Sequence, residues 1–251
     1  MSVDDDRALL AEHTADAIRR RLATRPRPSV LRDAVYGAID GAITTFAVVA
    51  GVAGASLGPR VVIVLGFANL LADGFSMAVS NYLGTKAEAE EELRARRTEE
   101  HHIDVVPEGE REEIRQILAA KGFRGPDLEA AVEVITADRE VWVDTMMREE
   151  LGYAAGIRTP LRAAFATLVA FIVVGFLPLA VFVADLLTPG RIGNAFLWSS
   201  ILTALAFLAV GALKARFVER PAWRSALETL LIGGAAAILA YGVGALLEGV
   251  A

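Results

Sequence analysis

At 251 residues, with 54% hydrophobic residues and a mean hydropathy of +0.45, the chain exceeds the roughly 45–50% apolar share of globular proteins, which argues against a soluble protein. Cysteine is absent, which excludes disulfides and thiolate metal sites; any metal must be held by carboxylate, imidazole, thioether, amide or backbone oxygen. The net charge of −6 divides into +1 over residues 1–33, −9 over 85–151 and +2 over the remainder, and no basic patch in it suits a nucleic acid.

Residues 1–33 are charged throughout and lack a short apolar core followed by a small-residue cleavage site, so they read as a cytosolic segment and not a secretory signal. Leu9, Leu10, Ala17, Ile18 and Leu22 give this segment an amphipathic helical pattern. Residues 34–58 and 60–84 follow, almost entirely apolar or small, and each is long enough to cross a hydrocarbon core of about 30 Å as a helix. Segments 161–187, 192–213 and 225–247 have the same character, which gives five spans. Basic residues near span ends set the orientation. Arg19, Arg20, Arg21, Arg25, Arg27 and Arg32 precede the first span, Arg158 and Arg162 open the third, and Lys214, Arg216, Arg220 and Arg224 link the fourth to the fifth. Only Arg60 and Arg191 lie on the other side. The N-terminus and residues 85–151 are therefore expected in the cytosol, with residues 152–251 completing the membrane part.

The insert reads as three helices. Residues 86–103 are strong helix formers without glycine or proline, and Val106-Pro107 ends that run. Glu108 to Ala120 forms the second helix, stopped by Gly122 and Gly125-Pro126. The third starts at Asp127 and runs to Leu151-Gly152 through Leu128, Val132, Ile135 and Val141-Trp142. No strand signal of comparable strength occurs, so the fold class is all-α: five transmembrane helices with a three-helix cytosolic metal-binding insert between the second and third.

Candidate ligands sit at helical spacing in this insert. Glu99 and His102 share a face of the first helix, Glu110 and Glu113 of the second, and Met146 and Glu150 of the third, with Met147 and Glu149 beside them. Hard oxygen with a softer thioether leans toward Fe(II) or a neighbouring transition ion. The alternative is a solvated acidic surface with two methionines filling a core gap.

Two carboxylates fall inside apolar spans, where one costs about 2.5–3.5 kcal/mol on insertion scales. Asp40 shares a face with Asp33 and Thr44. Asp73 belongs to a four-residue-spaced stripe, Asn69, Asp73, Met77 and Asn81, beside a ridge of small residues, Ala68, Ala72, Ser76 and Ser80. The stripes can line a cation path, or they can hydrogen-bond helices together. A desolvated aspartate binds a proton more tightly, and a bound metal expels that proton, which is the physical basis of antiport.

The segments Asp40-Gly-Ala-Ile-Thr44-Thr45-Phe-Ala-Val-Val-Ala-Gly51, Asn69-Leu-Leu-Ala-Asp73-Gly-Phe-Ser-Met77 and Asn81-Tyr82-Leu-Gly-Thr-Lys86 resemble the vacuolar iron transporter family, as does Trp142-Val-Asp-Thr-Met146-Met147-Arg-Glu149-Glu150-Leu151-Gly152. The resemblance runs from about Arg32 to the C-terminus. It implies a homodimer of five-span subunits with the path between them, and exchange of Fe(II) or Mn(II) for protons away from the cytosol, with no prosthetic group. By position it carries the membrane metal site to Asp40 and Met77, and ligands of the cytosolic domain to Glu99, Glu110, Glu113, Met146, Met147 and Glu150. Two positions depart from plant members of the family. His102 and Asn69 each stand where those members have a glutamate, so the insert carries less negative charge and proton coupling is expected either to pass to Asp73 or to run differently. Two competing readings are a membrane-anchored metal sensor and a di-iron ferroxidase; the latter needs two Glu-x-x-His pairs, and this chain offers only Glu99-x-x-His102. Alanine- and arginine-rich composition points to a bacterial cytoplasmic membrane.

Overall fold

Every residue with regular structure in the computed structural model is helical; residues 10–23, 29–153, 158–188, 191–218 and 220–249 are described, without a strand among them. Leu9, Arg25 and Arg27 of the N-terminal reading lie outside the described residues. The helices are α1 (Ala15–Ala23), α2 (Leu31–Gly54), α3 (Pro59–Val105), α4 (Pro107–Ala120), α5 (Gly125–Thr136), α6 (Arg139–Glu149), α7 (Pro160–Gly175), α8 (Leu177–Leu187), α9 (Ala195–Val218) and α10 (Ala222–Leu247). They fall into two compact units, Ser29–Lys86 with Thr159–Ala251, and Ala87–Arg158 with Met1–Pro28.

In the first unit, α2, α3, α9 and α10 are each long and apolar enough to cross a membrane, and α7 with α8 makes a fifth span if that bent pair is counted as one. The chain is an integral membrane protein. Its outward faces agree: Ile238, Leu239 and Leu246 on α10 are 74%, 71% and 83% exposed, an arrangement that water would penalise and lipid does not. Inside, Phe46, Val49, Val52, Val62, Leu70, Phe171, Leu179 and Phe182 form the core. Helices α2 and α7 approach through glycine. A Cβ on Gly41 would stand 2.4 Å from the Phe171 carbonyl oxygen, and one on Gly37 equally close to that of Thr167. Small residues drive this kind of approach in lipid, where packing replaces the hydrophobic effect between helices. Gly41→Val is therefore expected to separate α2 from α7 and strongly reduce the yield of folded protein, whereas Gly58→Val, with open space around its Cβ, leaves it unchanged; size-exclusion yield in detergent checks both.

The run over 161–187 that the sequence suggests as one span is two helices. Helix α7 ends at Gly175 and α8 begins at Leu177, with a bend of 48°. Pro178 sits in the first turn of α8, where its missing N–H leaves no ladder bond unmade. The Ser199 hydroxyl donates to the Pro178 carbonyl at 2.6 Å and fixes α9 against the break.

Two boundaries in the other unit differ from expectation. Residues 60–84 and 86–103 form one helix, α3, because Thr85-Lys-Ala-Glu-Ala-Glu contains no breaker and the single Gly84 costs only about 1 kcal/mol. It ends at Val105, before Val106, whose backbone is pushed out of the helical region by Pro107 at the start of α4. The run expected as one helix from Asp127 to Leu151 is two, α5 and α6. The Asp138 carboxylate accepts from the Glu140 and Val141 N–H groups at 2.9 and 3.3 Å and starts a new helix there. Four helical stretches thus surround a core of Ile103, Ile114, Leu118, Val132, Trp142, Val143, Met146 and Met147. Gly122, at φ +103°, turns the chain out of α4 in a conformation that favours glycine. Arg96 bonds Asp144 at 2.6 Å and Arg139 bonds Asp104 at 2.5 Å, tying α6 to the end of α3.

Candidate metal centre

Glu99 and Ile103 lie one turn apart on α3, and Glu110, Ile114 and Leu118 one turn apart on α4, all buried. Each carboxylate therefore occupies the apolar stripe of its helix. That placement is costly unless the charge is paired, hydrogen-bonded or neutralised. Glu99 is 5% and Glu110 3% exposed, and one oxygen of each, Oε2, is buried without a hydrogen-bond partner. His102, one turn beyond Glu99 on the same face, brings Nδ1 to 3.4 Å from Glu110 Oε1. One ligand atom from each of Glu99, His102 and Glu110 lies within 4.8 Å of the others.

Glu110 is pushed up to about 7, by burial first, then by repulsion from Glu113 and Glu99; His102 offsets this in part. Burial likewise raises Glu99, which His102 draws back down and Glu113 pushes up again. Glu150 is raised by desolvation and then by Glu113 and Glu99. Glu99, Glu110 and Glu150 are thus all raised, and a cation among them would draw all three back down. Glu113 and Glu150 are exposed and reach the site through their field. Met146 is fully buried and Met147 nearly so, both in the core beside Trp142.

A divalent ion bound at Glu110 would compete with a proton there, so metal affinity is expected to be flat above pH 7 and to fall by up to about tenfold per pH unit below it. Calorimetric titration of the full chain at pH 6, 7 and 8 checks this. In the metal-free protein the sign on stability is opposite. A raised carboxyl favours the folded state in its protonated form, so folding loses free energy as pH rises from the ordinary carboxylate value, 4.5, through about 7.

In the membrane unit the stripe on α3 is divided. Asn69 donates to the Thr44 and Thr45 hydroxyls at 3.2 and 3.3 Å. Asn81 donates to Asp33 at 3.1 Å and to Thr167 at 2.6 Å, and accepts from the Thr85 hydroxyl. These two asparagines tie helices together, and Thr167, buried in an otherwise apolar run, is the partner that sequence reading missed. Asp40 is half-buried on α2, and its charge interacts with that of Asp73, exposed on α3. Met77 packs at the edge of the membrane core.

Comparison with known proteins bears on this arrangement. Residues 31–245 match the model of the VIT family. The chain is 32% identical to a protein named vacuolar iron transporter from Toxoplasma gondii, over 97% of this chain and 85% of that one. It is 32% identical to vacuolar iron transporter 1 of Arabidopsis thaliana over 84% of each, and 30% identical to the vacuolar iron transporter of Plasmodium falciparum over 87% of this chain and 82% of that one. With a match of that extent over both the spans and the insert, the chain belongs to the VIT family.

Proposed function

We propose that the protein exports divalent iron, or manganese, from the cytosol in exchange for protons. The observation that carries this reading is the Glu99–His102–Glu110 constellation, with its buried unpartnered oxygens, in a chain whose relatives are named iron transporters. Glu99, His102 and Glu110 bind the ion, Glu113 and Glu150 supply charge, and Met146 and Met147 contribute thioethers that favour a transition metal over magnesium or calcium. Asp40, Asp73 and Met77 form the membrane path, with Asp40 as the carboxylate that exchanges metal for proton. The chain is organised as a cytosolic segment 1–33, spans one and two in 34–84, the cytosolic metal-binding insert 85–151 and the remaining spans in 152–251. It works as a homodimer in a bacterial cytoplasmic membrane.

The test is metal delivery into proteoliposomes. Fe(II) under anaerobic conditions quenches an enclosed indicator when the protein is present and not in empty vesicles. Binding without flux would identify a sensor, and oxygen consumption on adding Fe(II) in air, above background, would identify a ferroxidase.

A further inference from the structure

The membrane unit carries an apolar groove of about 550 Å³ that the transport reading does not use. It lies between the second half of the membrane-spanning part of α3 and the start of α7, and its lining is almost wholly apolar. Phe75 and Val79 on α3 and Phe165 and Leu168 on α7 line it, and Tyr82 and Arg162, nearest in the chain to Lys86 and Thr159, add the carbon parts of their side chains. Residues 75–82 and 161–168 each span about 10 Å of helix rise, so the groove runs along both helices rather than across them. Neither the Tyr82 hydroxyl nor the Arg162 guanidinium has a hydrogen-bond or ion-pair partner among the described residues, and Arg162 is exposed. At about 100° per residue, Phe75 and Val79 point roughly 160° away from Asp73 and Met77, so the groove turns away from the proposed ion path.

An apolar channel within a span, beside an exposed arginine without a partner among the described residues and a phenol, complements an amphiphile: acyl chain inward, negative headgroup at the arginine. We propose that this groove is a binding site for an anionic phospholipid, whose phosphate is held by Arg162 and Tyr82 and whose acyl chain lies against Phe75, Val79, Phe165 and Leu168.

The experiment uses the full chain purified in detergent, titrated with phosphatidylglycerol or phosphatidylcholine of the same acyl chains, with bound lipid counted by native mass spectrometry. Phosphatidylglycerol should be retained about fivefold more strongly, the effect of one basic residue at a lipid surface. Arg162→Gln should remove that preference and leave chain binding, and Arg162→Lys should restore it. Ala164→Trp, which fills the groove, should lower retention of both lipids. Arg216→Gln, an exposed basic residue elsewhere in the unit, should change neither. The melting temperature of each variant confirms folding. Full preference in Arg162→Gln, loss of preference in Arg216→Gln, or undiminished lipid in a folded Ala164→Trp would each overturn the proposal. Disulfide formation between subunits carrying Phe165→Cys would do so as well, by placing a second copy in the groove.

Discussion

Asp40→Ala is expected to reduce metal flux in proteoliposomes by two orders of magnitude or more while leaving the protein folded. A loss of that size corresponds to about 2.8 kcal/mol on the transport barrier. The two halves of the expectation have one origin. Asp40 sits half-buried within α2, and its charge meets that of Asp73. Holding a carboxylate at that depth opposes insertion by about 2.5–3.5 kcal/mol, so its removal relieves a cost instead of adding one. The helix contacts around it are made by Gly37, Gly41 and the core at Phe46, none of which needs the carboxylate. A folded variant with normal flux would remove Asp40 from the mechanism. Asn81→Leu is the contrasting case: it deletes the bonds to Asp33 and Thr167 that join α3 to α2 and α7, and instability should precede any transport effect.

Replacing Glu99 and Glu110 together by glutamine should weaken Mn(II) binding to the full chain by more than about 100-fold, beyond the 10–100-fold that loss of an outer-sphere partner causes. Glutamine keeps the size and an acceptor oxygen but discards the charge. Both native carboxylates lie on apolar stripes, and each leaves an oxygen without a partner, so the neutral pair should fold at least as stably as the native one. The combination of lower affinity with an unchanged or higher melting temperature separates a ligand role from a structural one. Glu113→Gln, exposed and acting through its field, should cost far less. Affinity that survives the double replacement would remove both residues from the ligand set.

The spans were legible because bilayer crossing demands twenty or so apolar residues, a signal that composition alone carries. What the sequence hid was continuity and interruption. A change from apolar to charged residues at Thr85-Lys86 looks like an element boundary, yet nothing there breaks a helix, and α3 runs through it. The opposite holds at Asp138, where hydrophobic periodicity continues across a capping aspartate that starts α6. Likewise Pro178 stands in the first turn after a break within an apolar run that reads as one segment.

In the candidate site, spacing on one helix exposed Glu99 with His102 and Glu110 with Glu113. The convergence of Glu99 and Glu110 from different helices depends on packing through Ile103, Ile114 and Leu118, which no single-helix pattern reveals. The Asn69–Asp73–Met77–Asn81 stripe illustrates the converse: one face of one helix serves two purposes, and only the neighbours, Thr44 and Thr45 for Asn69 and Asp33 and Thr167 for Asn81, show which members are ties.

The most direct measurement follows metal and protons together in one preparation, with Mn(II) added outside proteoliposomes that enclose a pH-sensitive dye. Exchange predicts that the interior turns more alkaline only when metal enters, and that an inward-acidic gradient accelerates entry. Metal entry at an unaltered rate with the gradient collapsed and no change in internal pH would contradict it.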